Sequence, residues 1–137
     1  MQDLIKLVIV TPQVTLFQDA VAFIQVPAYD GYMGFLPGHA PFVSTLGTGI
    51  LRCGSRDNPR TCFSISGGYF EIHDDEMIVL ADVAERPDTI DVERAERARE
   101  RAIRRLTGED KGEWDLERAR AALARALNRL QTHQNGH

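Results

Sequence analysis

The hydrophobic residues of this chain change their spacing once, near Pro87, and that change restricts the fold to two dissimilar parts. Upstream, LIKLVIVTP, TLFQDAVAFIQVPA, GILRC, TCFSISGGYFEIH and EMIVLADVA are alternating or short β-branched and aromatic runs, separated by Pro, Gly, Asp and Asn. That is strand patterning. Downstream, Val92, Ala95, Ala98, Ala102 and Leu106 recur at spacings of three and four with Ile103 beside them, a single helical stripe. Short strands followed by helices predict a β-sandwich or barrel over residues 1–86 and an antiparallel α-helical hairpin over residues 87–137. Charge divides at the same place. Up to Arg86 ten acidic residues stand against five basic ones; beyond it ten stand against eleven.

Local signals refine both parts. In YFEIHDDEMIVLAD, Asp74-Asp75-Glu76 reads as a hairpin turn between strands. Gly67-Gly68, inside an apolar run, predicts a bulge or a close backbone approach. Cys53 and Cys62 are nine positions apart and belong to no CxxC motif; they read as reduced thiols on strands, facing each other if those strands form a hairpin. Asp91 predicts an N-cap for VERAERARERAIRRL, whose last turn carries Arg104 and Arg105, as the helix dipole favours. TGEDKG breaks the pattern, and a second helix is expected from about Glu113 to Leu130 with Leu116, Ala119, Leu123, Ala126, Leu127 and Leu130 on one face. The closing QTHQNGH reads as a frayed tail. A seam made mostly of alanine buries little area against an ordering entropy of about 1–2 kcal/mol per residue. Such a hairpin must lean on the sandwich, on a ligand or on a partner, and is expected to be a movable element.

Chemistry is hard to assemble from these residues. GxSxG, HExxH, GxxxxGK[ST] and GxGxxG are all missing. Of the histidines, His133 and His137 lie in the tail, and His39 and His73 have no histidine neighbour of the HxH kind that a β-barrel metal site uses. The acids at 74–76 read as a solvated turn. In GYMGFLPGHAPF, His39 sits between Pro37-Gly38 and Ala40-Pro41, a stretch too stiff for a helix and too interrupted for an ordinary strand. Its expected role is to bond a neighbouring carbonyl through a ring nitrogen and hold the turn. No apolar run approaches the roughly 20 residues that a membrane span needs, and the N-terminus lacks an export signal, so a soluble chain is expected.

The order of motifs resembles the epsilon subunit of F-type rotary ATP synthases, called delta in mitochondria. The resemblance rests on GYMGFLPGHAP at 31–41, GILR at 49–52, SGGYFEI at 66–72, VLAD at 79–82 and two Arg/Ala-rich helices, and it covers essentially the whole chain. It implies a β-sandwich of about ten strands in two sheets, then the helical hairpin, with no catalysis and no required cofactor. It implies a rotor subunit, peripheral to the cytoplasmic face of the bacterial inner membrane. The sandwich would grip the gamma subunit and reach the c-ring, with Tyr32, Met33 and His39 near that contact. Many members carry an acid where GYMG has Tyr32 and Met33, which favours apolar contact over a salt bridge. The hairpin would fold down on the sandwich or extend towards the alpha and beta subunits to inhibit ATP hydrolysis. Extended, it would offer Arg94, Arg97, Arg99, Arg101, Arg104 and Arg105 to an acidic segment of beta, unless Glu93–Arg97 and Glu100–Arg104 pairs occupy them. Some members bind ATP as a regulatory ligand through I-D-x-x-R-A. Ile90, Asp91, Arg94 and Ala95 fit that pattern here, with Glu85, Arg101, Arg125 and Arg129 around them. A different class of reading is a β-sandwich ligand-binding module, or a small metal-dependent enzyme, with a helical dimerisation arm.

Overall fold

A computed structural model describes residues 3–55 and 61–136. Eight strands come first, near the expected ten: β1 Ile5–Val10, β2 Thr15–Val21, β3 Phe23–Ala28, β4 Gly31–Phe35, β5 Phe42–Thr45, β6 Thr48–Gly54, β7 Thr61–His73 and β8 Glu76–Glu85. A 3₁₀ turn at Pro87–Thr89 leads to α1 Val92–Leu106 and α2 Leu116–Asn135. The stretch GYMGFLPGHAPF, expected to be too interrupted for strands, contributes β4 and the start of β5 on either side of the LPGHAP turn.

Hydrogen bonding runs in the order β2-β1-β8-β7-β6-β3-β4, with β5 also on β7 and β1 parallel to β8. The long strands β7 and β8 serve both layers. The first half of β7 pairs with β6 up to Ser66, and its second half pairs with β5 from Tyr69. The change of partner falls at Gly67-Gly68, which carry φ of +76° and +111°. A Cβ at Gly68 would lie 2.0 Å from the Leu80 carbonyl oxygen, so the expected close approach is present there. Phe35 of β4 meets Phe70 of β7 with ring centroids 5.6 Å apart, and Phe17 of β2 meets Phe63 at 5.1 Å, closing the layers over one core. Phe35, Phe63 and Phe70 are fully buried, and each contributes on the order of 1.5–3 kcal/mol. Asp74 and Asp75 form the β7–β8 turn with φ of 51° and 58°, the positive values that a two-residue hairpin of this hand requires.

The register separates the two cysteines. Arg52 pairs with Cys62 and Cys53 pairs with Thr61, so the thiols occupy opposite faces of the sheet and do not face each other. Cys53 belongs to the core and Cys62 lies on the outer face. Burial, with lesser repulsion from Cys62 and Asp19, pushes the Cys53 thiol up to about 12, and burial raises Cys62 as well.

At the end of the sandwich, Arg86 donates to the Leu16 carbonyl and lies over Phe63, its guanidinium carbon 5.5 Å from the ring centroid. Pro87 then turns the chain into the hairpin. α1 begins where expected, with the Asp91 carboxylate accepting from Arg94 N at 3.1 Å. α2 begins and ends later than expected. The cap is Asp115, whose Oδ1 accepts from Glu117 N and Arg118 N. The supposedly frayed tail is helical to Asn135, because Thr132 is fully buried and bonds back to Asn128 O, while His133 Nδ1 donates to Pro87 O at 3.2 Å. His137 lies outside the described residues. The seam between the helices holds Ala95, Ala102, Ala119 and Ala126 as its buried members, whereas Leu116 and Leu127, expected on that face, remain exposed.

Candidate functional site at the hairpin junction

The helices lie on the outer face of β6 and β7, where buried Ile50 stands beside hydrogen-bonded polar groups. Asn128, buried on α2, donates through Nδ2 to Gly49 O at 2.8 Å and to Ser64 Oγ at 3.0 Å. One turn later Thr132 sits on the same face. Beside them Arg129 Nε donates to Glu85 Oε1 at 2.6 Å. These groups tie the second helix to a strand carbonyl, a strand hydroxyl and the last residue of β8. Sequence reasoning passed over Asn128 and Thr132, since a polar residue in a helix ordinarily marks its solvent face.

A groove of about 410 Å³ opens where the hairpin meets β8, lined by Glu85, Asp91, Arg94, Ala95, Arg101 and Arg129 among others. Six of the eight residues expected around a nucleotide are thereby brought together. Thr89, Arg97 and Ala98, which were not in that set, complete the lining. Ile90 is buried beside the groove and does not line it. Arg125 lines a different groove, further along the hairpin. In the junction groove Arg129 is paired with Glu85, and the Asp91 carboxylate caps α1. Among the described residues Arg94, Arg97 and Arg101 form no ion pair, which leaves the groove electropositive. Guanidinium groups arrayed on two helices suit phosphate oxygens, and the capping carboxylate is placed to accept from a hydroxyl or an amine. On α1 itself the intrahelical pair is Glu96–Arg99 at 2.7 Å rather than Glu93–Arg97 or Glu100–Arg104.

The other expected contact residues lie at the edge and end of the sandwich. Tyr32 and Met33 do not form one exposed patch: Met33 packs against the core, while Tyr32, on the opposite face of β4, accepts from Ile50 N at 3.0 Å through its hydroxyl. His39 Nδ1 donates to the Ala40 carbonyl at 2.7 Å and its ring lies 4.7 Å from that of Phe35, so it holds the turn as expected. The same turn is tied to the β7–β8 turn by Gly38 N donating to Asp75 Oδ1 at 2.7 Å. Leu36, at 65% exposure, stands out at this end. No three metal-ligating side chains converge among the described residues, and no helix there is long and apolar enough to cross a membrane.

Two family models match the chain: the beta-sandwich domain of the ATP synthase delta/epsilon chain over residues 4–87, and the long alpha-helix domain of the same chain over residues 88–134. The ATP synthase epsilon chain of Desulforudis audaxviator is 45% identical over 105 residues, covering 77% of this chain and 76% of the relative. That of Moorella thermoacetica is 43% identical over 102 residues, covering 74% and 76%. Among solved structures, a chain of the Euglena gracilis mitochondrial ATP synthase, in an OSCP/F1/c-ring assembly in rotational state 1, matches with a TM-score of 0.75 at 27% identity over 89% of this chain and 76% of that one. A chain of the Tetrahymena thermophila central stalk and c-ring shares the fold, with a TM-score of 0.57 at 12% identity, over 95% and 93%.

Proposed function

This chain belongs to the ATP synthase delta/epsilon family, and from that premise we propose that it is the rotor-stalk subunit whose sandwich links gamma to the c-ring while its hairpin regulates ATP hydrolysis. It is a non-catalytic subunit; its effect is exerted on the alpha and beta subunits. The complex would hold it peripherally at the cytoplasmic face of the bacterial inner membrane. The reading displaces the alternative of a metal-dependent enzyme with a dimerisation arm.

The observation that carries the regulatory part is the character of the docking contact. Beside Ile50, which is buried on the same outer face as Ser64, the hairpin is held by the two hydrogen bonds of Asn128 and one part-buried ion pair, while the Thr132 hydroxyl bonds within its own helix. Water can replace those hydrogen bonds, so undocking costs little compared with separating two apolar faces. The sandwich supports the docking part. Its other outer face has no helix over it among the described residues, and Val43, Tyr69 and Ile78 are exposed there around Glu71 on adjacent strands. A largely apolar strip with one central carboxylate, on a sheet, suits a partner such as gamma. Leu36 and the His39 turn offer an end surface for c-ring loops.

ATP is the proposed regulatory ligand of the junction groove. Phosphates would engage Arg94 and Arg101 from α1 and the free N–H groups of Arg129 from α2, bridging the helices in the docked state. The test has two arms. Removing residues 87–137 should raise ATP hydrolysis by the assembled complex, and unchanged hydrolysis rejects inhibition by the hairpin. Millimolar ATP should raise the thermal midpoint of the purified chain and move the amide signals of Arg94 and Arg129. Silence in both rejects the nucleotide reading and leaves inhibition standing.

A further inference from the structure

Beyond the junction groove, a second cavity of about 600 Å³ lies between the end of α1 and the first half of α2. Its walls carry Arg105, Arg118 and Arg125, with Trp114 and Asp115. Arg118 and Arg125 are seven residues apart on α2 and so share a face. Arg105 reaches the same space from the other helix.

Its charge is unbalanced. None of these arginines forms an ion pair among the described residues. The one acid in the wall, Asp115, already accepts two backbone N–H groups at the start of α2. Arg105 is held in place by Trp114, its guanidinium carbon 4.1 Å from the indole centroid, and Trp114 is itself fixed by donating Nε1–H to Asp110 O at 3.1 Å. The Nε of Arg105 is buried and lacks an acceptor, the only side-chain nitrogen or oxygen so placed among the described residues. A half-buried guanidinium without a counter-charge is an uncommon arrangement that an anion would complete. Three convergent guanidiniums, one fixed by an aromatic ring, match the oxygens of a compact polyanion.

We propose that this cavity is a second anion site, for a di- or polyphosphate group, separate from the junction groove. The site depends on the docked form of neither the sandwich nor β8, since only hairpin residues line it. It therefore stands or falls independently of the nucleotide reading.

Trp114 is the chain's single tryptophan, so its emission reports this cavity alone. Inorganic pyrophosphate titrated into the full chain should change that emission saturably, and should shift the side-chain Nε–H resonance of Arg105. Removing two charge-assisted contacts with Arg118→Ala and Arg125→Ala together should weaken the response at least about tenfold. Both side chains are on the surface, and circular dichroism checks that the helices persist. Arg94→Ala, in the junction groove, should leave the titration unchanged. The proposal is overturned if potassium chloride at matched ionic strength reproduces the change, if the double variant responds like the parent, or if Arg94→Ala abolishes it. Running ATP in the Arg94→Ala background separates sources: a response like that to pyrophosphate identifies the polyphosphate as the recognised part, and none at all overturns the site.

Discussion

Replacing Asn128 by alanine should release the hairpin without unfolding the sandwich. The substitution removes two hydrogen bonds, to Gly49 O at 2.8 Å and Ser64 Oγ at 3.0 Å, and leaves both partners on a covered face. An orphaned buried acceptor costs about 1–3 kcal/mol, reduced where water can enter the space left by the side chain. A net cost of about 2 kcal/mol therefore falls on docking, which corresponds to a roughly 30-fold rise in the undocked population. The remaining polar tether, Arg129–Glu85, is about one-third exposed and adds on the order of 1 kcal/mol, and Ile50 stays on the docked face in parent and variant alike. The chain supplies its own reporter. Cys62 is buried on the outer face that also carries Ser64, whereas Cys53 is buried in the core. Reaction of Cys62 with an aromatic disulfide at pH 8 should accelerate by about the same factor in Asn128→Ala, while Cys53 stays at its parental rate. Equal rates for Cys62 in parent and variant would refute the claim that Asn128 governs docking. Acceleration of both thiols together would show instead that the variant is globally unfolded.

Other consequences follow from single atoms. Gly68→Ala places a methyl 2.0 Å from Leu80 O at a φ of +111°, so the variant should lose cooperative thermal unfolding, whereas Ala81→Gly in the facing strand should only lower the midpoint. The Cys53 thiol, raised from 9.0 to about 12, is protonated in the fold and ionised in the unfolded chain between those values. Its contribution is complete well below pH 9 and is lost as pH rises towards 12, on the order of 1 kcal/mol by pH 10. Denaturant midpoints at pH 8 and pH 10 should therefore differ less in Cys53→Ala than in the parent. Asp91→Ala removes the acceptor for Arg94 N and should cost about 0.5–2 kcal/mol of hairpin stability, read as lower helicity near the thermal midpoint.

Features determined by near neighbours were legible in the sequence. The change of period at Pro87, the Asp74-Asp75 turn, the Asp91 cap and the His39 brace each depend on residues within a few positions of one another. What depended on distant partners was not. Asn128 meets Gly49 from 79 positions away, and nothing in RALNRLQTHQ distinguishes a buried asparagine from a solvated one. The cysteines failed on register: Cys53 pairs with Thr61 and not Cys62, and one position decides the face. Arg125 and Arg129 share a face of α2 by spacing, yet about 6 Å of helix rise separates them, enough to put one at the junction and the other in the distal cavity. The anion-prone character of that cavity was equally hidden, since it arises from a loop that returns Trp114 onto Arg105.

Because β7 exchanges β6 for β5 halfway along its length, the two layers have a strand in common and cannot slide past each other without breaking its ladder. A load applied to the β1–β2 edge is handed through that strand to β3 and β4 rather than dissipated in a soft interface. A bracket joined in this way resists torsion, as a part carried on a rotary stalk requires.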